Sequence, residues 1–291
     1  LLVCHGLGRG VERHVNSLVE GFAGKANFLM LSATPSGAEL SVPAVADHPV
    51  LRVSEDHVDD LLHLLRFAAV RRVHVHHVAG FDLDVRALVR QLGVPFDLTV
   101  HDYFGICPQV NLLPRPDGLT CGEPGAAGCN ACIAMRPSHG ATDIAAWRAE
   151  HAWMFLDAER VLCPSEDSRA RLLRHGLAGR AIVAPHEPTP HGEWSVTARA
   201  YRGGVLRVAI LGVLARHKGA HVVAALAAEA AAAGLELHLV GHVEEDFPPE
   251  ARALLKETGR YKESELPGLL RKVNPHVVWL PAAWPETYSY T

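Results

Sequence analysis

Leu206-Arg207-Val208-Ala209-Ile210-Leu211-Gly212-Val213-Leu214-Ala215-Arg216-His217-Lys218-Gly219 is the stretch that decides the fold. The apolar run Leu206 to Leu211 has the character of a buried strand, and an alanine-rich helical pattern opens at Ala220. Between them, Gly212 lets a phosphate approach the backbone at the strand end. The start of the next helix offers unpaired N–H groups, and Arg216 and Lys218 add two positive charges. Further along, Trp279-Leu280-Pro281-Ala282-Ala283-Trp284-Pro285-Glu286-Thr287-Tyr288 sets a carboxylate just after a second apolar strand. Parallel strands deliver their following loops to one edge of a sheet. Arg216, Lys218 and Glu286 are therefore expected around one ligand that carries both phosphate and hydroxyl groups.

The same alternation extends outward from this stretch. Leu1 to Cys4 leads into His5-Gly6-Leu7-Gly8-Arg9-Gly10 and a helical pattern from Val11 to Phe22. Apolar runs at Phe28 to Leu31, Val73 to His76, Phe96 to Val100 and Arg160 to Cys163 alternate with helical segments such as Val58 to Val70 and Val85 to Leu92. Ser165 has the chemistry of an N-cap for a helix from Asp167 to His175, and Ala181 to Pro185 closes this part. Strands joined by crossover helices predict an α/β domain with a mostly parallel sheet over residues 1–185. Residues 186–204, rich in Pro, Gly and His, read as a linker. The alternation restarts over 205–291: strand Leu206 to Leu211, helix Ala220 to Ala233, strand Leu235 to Val240, helices Pro249 to Glu257 and Glu263 to Val273, strand His276 to Leu280. This is a second, partial α/β domain, and both ends of the chain read as cut.

A length of 291 residues favours two domains. Apolar residues at 48% and charged residues at 21% are ordinary for a globular enzyme and exclude a disordered chain. A net charge of -4 argues against nucleic acid as a partner. The 19 histidines make that charge pH-sensitive, and most are expected to be surface or strand-edge residues with no special role. Nothing in the chain reads as a signal peptide or a membrane span, so a cytoplasmic location is expected.

Five pieces, in order, carry a resemblance: Gly8-Arg9-Gly10-Val11-Glu12-Arg13-His14, His101-Asp102-Tyr103, Cys163-Pro164-Ser165, Arg216-His217-Lys218-Gly219 and Pro285-Glu286-Thr287-Tyr288. Together they resemble retaining glycosyltransferase family 4, of the bacterial cell-surface polysaccharide type, over essentially the whole chain. The resemblance implies the GT-B fold, two Rossmann-like domains facing across a cleft. It implies transfer of a sugar from a nucleotide diphosphate sugar to an acceptor hydroxyl, with retention and without a catalytic metal, in polysaccharide or glycolipid synthesis. Arg216 and Lys218 would stabilise the departing diphosphate; a solvated pair at a helix start is the alternative. Gly8 and Gly10 would bring backbone N–H groups to the same phosphates, or simply make a strand-to-helix turn. Gly241 and Tyr261 would contact the nucleotide. His101 would bond a sugar hydroxyl, or only satisfy local backbone groups; Asp102 would orient the turn. No separate general base is implied, because the leaving phosphate takes the acceptor proton.

Glu286 would open the family's Glu-x7-Glu pattern and contact sugar hydroxyls, with capping of a following helix as the alternative. The second Glu would fall at 286 + 8 = 294, beyond Thr291, so the chain as given is expected to be inactive. Two other functions compete: a GT-B-type nucleotide-sugar epimerase, which needs a second carboxylate beside Glu286, and an inactive or regulatory homologue.

Cys107, Cys121, Cys129 and Cys132 fall in a glycine- and proline-rich insertion, 107–135, that lacks periodicity. Four thiolates suit a structural Zn²⁺; free thiols and disulfides are the other readings. Cys4 and Cys163 are expected as buried small hydrophobes. Trp147, Trp153 and Phe155 are expected in the core, and Arg169, Arg171 and Arg174 on a solvated helix face. A lipid-linked acceptor would turn such a basic face toward a membrane, as a peripheral contact.

Overall fold

The computed structural model describes residues 1–6, 10–43, 50–113, 120–186, 201–230, 232–244 and 246–289. The chain divides into two units, one from Leu1–Pro108 with Ala141–Thr189 and one from Gln109–Gly140 with Pro190–Ser289. The cysteine-bearing insertion thus groups with the second unit, although it interrupts the sequence of the first.

In chain order the elements are β1 (Leu2–Cys4), α1 (Gly10–Gly21), β2 (Met30–Thr34), β3 (Gly37–Ser41), β4 (Leu51–Val53), α2 (Val58–Phe67), β5 (Val73–Val75), α3 (Val85–Leu92), β6 (Phe96–Thr99) and α4 (Ala126–Met135). There follow α5 (Ile144–His151), α6 (Trp153–Leu156), β7 (Arg160–Cys163), α7 (Glu166–Arg174), β8 (Ala181–Val183), β9 (Leu206–Leu214), α8 (Ala220–Ala230), β10 (Leu235–Val243), α9 (Pro249–Arg252), β11 (Lys256–Glu257), α10 (Leu266–Val273) and β12 (Val277–Trp279).

The first unit holds an eight-stranded sheet in the order β4-β3-β2-β1-β5-β6-β7-β8. It is parallel except for β3, which pairs antiparallel with both β2 and β4. Those two strands were absent from the sequence reading, because they are short and carry too little apolar alternation to stand out. Gly37 makes their arrangement possible: its φ is +128°, and a Cβ there would lie 2.4 Å from the Val53 carbonyl oxygen.

Local chemistry explains the helix ends. Asp84 caps α3 by accepting the Ala87 N–H at 2.9 Å, and Gly93 closes it in the left-handed conformation. Ser165 caps α7 through the Ser168 N–H at 3.3 Å, as its sequence suggested. The segment from Trp147 to Phe155 is helical but broken at Ala152 into α5 and α6, with Trp147, Trp153 and Phe155 all buried as expected. The Trp147 indole donates to the Phe104 carbonyl at 2.7 Å, so its one polar atom is satisfied in the core.

A buried carboxylate braces the opposite, N-terminal ends of β6 and β7. Asp97 on β6 accepts from Arg160 at 2.8 Å and from Arg72 at 3.0 Å. Burial alone would raise this carboxyl, but the hydrogen bonds and charge of Arg160, with the charge of Arg72, hold it below the usual carboxylate range.

The second unit has a wholly parallel sheet, β11-β10-β9-β12. Along β9 the side chains alternate: Val208 and Ile210 join the cluster with Val223 and Ala227 of α8, while Ala209 packs with Val273 of α10. Two expected helices are shorter than the sequence suggested. After α9 the chain leaves the helix to pair Lys256 and Glu257 with His238 and Leu239, so its backbone groups are satisfied by β10 instead. The segment 263–273 begins as a 3-10 turn at Glu263–Glu265 before α10. Conversely, α4 forms inside the cysteine-bearing insertion, where no periodicity announced it.

Candidate functional site

In the second unit the decisive stretch folds as strand, turn and helix, but the strand runs three residues further than expected, to Leu214. The turn is a 3-10 turn over Arg216–Lys218, closed by Gly219 at φ +82°. β12 lies beside β9, with Trp279 opposite Ile210, so the loop after β12 reaches the loop after β9. The Ala283 N–H donates to the His217 carbonyl at 3.3 Å. A Cβ at Gly219 would stand 1.9 Å from the Pro281 carbonyl oxygen, so only glycine allows this approach.

That contact aligns two of the expected site residues. Lys218 Nζ donates directly to Glu286 Oε1, and Nζ also sits 6.0 Å from the centroid of the Trp284 ring. Arg216 shares the turn with Lys218. The Lys218 side chain is 42% exposed, whereas that of Glu286 is only 15% exposed. The loop pair therefore presents a cation and an acceptor side by side, after adjacent parallel strands, where phosphate and hydroxyl groups find complementary partners.

Gly212 and Gly241 are explained by packing. They face each other in the register of β9 and β10, and a Cβ at Gly241, φ +148°, would fall 1.8 Å from the Gly212 carbonyl oxygen. The Gly241 N–H donates to Thr258 Oγ1 at 3.0 Å. Tyr261 packs against the cluster of Ala209, Val240 and Val273, and partial burial raises its hydroxyl's pKa. In the first unit, Gly10 opens α1, while Gly8 lies outside the described residues.

The first unit gathers a second cluster, which the sequence reading underestimated. His101 and Asp102 follow β6, His76 and His77 follow β5, His5 follows β1, and His14 projects from α1. Because β1, β5 and β6 are parallel neighbours, these positions converge at one sheet edge. His76 Nδ1 lies 3.1 Å from His101 Nε2, and the ring centroids of His14 stand 5.5 Å from His76 and 5.2 Å from His101. His186 stacks nearby, 4.1 Å from His14 and 4.9 Å from His101. Most histidines were expected at the surface or at strand edges; His14, His76 and His77 are instead buried, as is His151 on α5. The visible signal was the run His74-Val75-His76-His77 at the end of a strand next to the one that leads into His101.

Burial dominates the electrostatics of this cluster. It lowers the His14 pKa to about 4, and burial with the charges of neighbouring histidines drives His76 and His101 well below the ordinary value. These rings are therefore neutral at pH 7. Asp102 behaves as a turn-orienting residue: Oδ1 accepts the Phe104 N–H at 2.9 Å, and Oδ2 faces His77 Nε2 at 3.1 Å. The Ala79 N–H donates to His77 Nδ1 at 3.0 Å, so a neutral His77 carries its proton on Nε2 and donates it to Asp102. Burial pushes the Asp102 carboxyl up, but His77 and the Phe104 N–H hold it below the ordinary value.

Cys129 and Cys132 occupy one face of α4, and Cys121 lies in the segment before it; none of the six cysteines is in a disulfide. Cys129 donates to the Pro124 carbonyl at 3.2 Å, and Cys121 accepts the Glu123 N–H at 3.3 Å. Among the described residues, the His, Cys, Asp and Glu side chains that converge closely enough for a metal ion are His14, His76 and His101, not these thiols. Cys4 and Cys163 are buried, as their strand positions suggested. On α7, Arg169 pairs with Glu166 at 3.0 Å and Arg171 with Asp167 at 2.7 Å, but Arg171 is only 19% exposed and lies 5.6 Å from the centroid of the buried Tyr103 ring, so it is not on the solvated face expected for it. Among the described residues no helix is long and apolar enough to cross a membrane.

No protein-family model and no curated protein matches the chain. Solved structures do share its fold. HepE of Anabaena in complex with UDP is 13% identical, with 99% of this chain and 76% of HepE covered at a TM-score of 0.57; HepE with UDP and glucose gives 0.51 at 12% identity, over 99% of this chain and 76% of HepE. The lipopolysaccharide outer core galactosyltransferase WaaB, in its apo form, is 12% identical over 94% of this chain and 72% of its own, at 0.52. The chain therefore has the α/β, parallel-sheet fold of GT-B glycosyltransferases.

Proposed function

We propose that the chain is a retaining glycosyltransferase of the family 4 kind. It moves a sugar from a nucleotide diphosphate sugar to the hydroxyl of a carbohydrate or lipid-linked acceptor, in polysaccharide or glycolipid synthesis. The observation that carries this reading is the Lys218–Glu286 pair, formed by two loops that follow adjacent parallel strands. The UDP held by HepE, which shares the fold, makes uridine diphosphate sugars the first donors to test.

The chemistry follows from the two side chains. As the bond between the anomeric carbon and the diphosphate breaks, negative charge grows on the departing oxygen. Lys218 exchanges the Glu286 carboxylate for that phosphate, and Arg216, on the same turn, adds a second positive charge, so no catalytic metal is needed. Glu286, released, accepts a hydrogen bond from a sugar hydroxyl and fixes the ring. The leaving phosphate takes the proton of the attacking acceptor.

Thermal shift with UDP, UDP-, GDP- and dTDP-sugars tests this, because a ligand that binds the folded state raises its stability by mass action. UDP or a UDP-sugar is expected to raise the melting temperature of the parent, and the Arg216→Ala/Lys218→Ala variant is expected to lose that shift. A double variant that responds like the parent removes the phosphate role.

A further inference from the structure

We propose that His14, His76 and His101 form a binding site for one divalent transition-metal ion of the Zn²⁺ class. Three chain segments converge to make it: His14 from α1, His76 from the end of β5 and His101 from the end of β6. Each offers one ring nitrogen, and those three atoms lie within 4.8 Å of one another. Tetrahedral coordination at about 2.0–2.1 Å needs nitrogens roughly 3.3–3.4 Å apart. The His76–His101 pair, at 3.1 Å, is already at that spacing, and the set closes with a shift of about 1–1.5 Å at the His14 side.

Two further observations point to a ligand there. His14 Nδ1 is buried with no hydrogen-bond partner, on a residue that is 6% exposed. A buried polar atom left unpaired costs about 1–3 kcal/mol, and a metal ion held by these rings offsets that cost without requiring a proton donor. A cavity of ≈ 30 Å³ also borders His76 and His101.

The donor set predicts the ion. Neutral imidazoles without a carboxylate among them suit Zn²⁺, Co²⁺, Ni²⁺ and Cu²⁺, and exclude Mg²⁺ and Ca²⁺, which require oxygen ligands. Binding at this site does not depend on the proposed transferase activity.

The test uses the chain stripped with chelator, in a background where Cys107, Cys121, Cys129 and Cys132 are all changed to Ser, so that thiolates cannot contribute. Isothermal titration with Zn²⁺ is expected to give one equivalent bound, with no binding of Mg²⁺. His14→Gln and His76→Gln are each expected to weaken Zn²⁺ at least 10-fold while circular dichroism shows the fold retained. Should either variant fail to fold, X-ray absorption of the Zn²⁺-loaded protein carrying the four Cys→Ser changes decides instead: several imidazole nitrogens in the first shell support the site. Absence of stoichiometric Zn²⁺ in the protein carrying the four Cys→Ser changes, unchanged affinity in both folded variants, or a shell of one imidazole and water overturns it.

Discussion

Gly219→Ala tests the contact on which the second-unit site depends. Two costs add at this position. The residue sits at φ +82°, a left-handed conformation that costs an alanine about 1 kcal/mol relative to glycine. The added methyl would also lie 1.9 Å from the Pro281 carbonyl oxygen and 2.7 Å from its carbon, backbone atoms that move only if the whole loop moves. Relief of such overlap typically costs about 1–3 kcal/mol, so the variant is expected to lose about 2–4 kcal/mol. For a unit of this size that corresponds to a fall of roughly 10 °C or more in its melting temperature, followed by circular dichroism. Gly259→Ala is the control: Gly259 has the same φ of +82° but nothing within 4 Å, so it is expected to lose only the conformational part. Equal losses in the two variants, or a Gly219→Ala protein melting within a degree or two of the parent, refute the steric argument and with it the claimed approach of the two loops.

Two other measurements probe the first unit. Asp97→Asn keeps the shape but removes the charge between Arg72 and Arg160, at an expected cost of about 1–3 kcal/mol at pH 7. Since the folded carboxyl is held below its unfolded value, the parent's advantage is full above about pH 4 and declines as pH falls through that value; urea melts at pH 7 and pH 3 that show an equal gap contradict the assignment. Thiol reactivity separates the cysteines: burial pushes Cys4 up to about 12 and Cys163 up to about 11, so a thiol reagent is expected to label the four cysteines of the insertion region first and these two only on unfolding. Mass spectrometry of labelled peptides showing Cys4 modified in native protein would contradict that burial.

The parallel sheets were legible because their strands are short apolar-rich segments between helical patterns, a near-continuous run at Leu206–Leu211 and an alternating one at Phe96–Val100. The Arg216-to-Gly219 turn was legible because a glycine, two cations and a helix start fall together after such a run. Other features depend on pairing, which no local pattern announces. β3 and β4 exist through each other, and Lys256 and Glu257 turn from helix to strand because β10 offers them partners. The histidine cluster belongs to this second kind. His14, His76 and His101 are far apart in sequence, and only the adjacency of β1, β5 and β6 brings their rings together. His76 lies one residue past β5 and His101 two past β6, so with the strand order known the convergence could have been read from sequence.

The Lys218–Glu286 pair raises a question about energy that the geometry answers. If donor binding exchanges this ion pair for phosphate and hydroxyl contacts, the pair is lost each time. With Lys218 nearly half exposed, such a pair is worth about 0–1 kcal/mol, because water solvates the separated charges well. A charge-assisted hydrogen bond from Lys218 to a phosphate, in a site that the bound sugar shields, contributes about 1.5–3 kcal/mol, and Glu286 regains a partner in the sugar hydroxyl. The exchange is therefore favourable on both sides. Before the donor arrives, the pair holds both side chains close to the places they would occupy with it, which reduces the rotamer entropy lost on binding. This account predicts asymmetric variants: Glu286→Gln leaves Lys218 available and is expected to retain binding of UDP alone, whereas Lys218→Ala is expected to weaken UDP and UDP-sugar alike. Titration calorimetry in which Glu286→Gln loses UDP as completely as Lys218→Ala would mean that the carboxylate is needed to position the lysine, and that the two do not exchange partners independently.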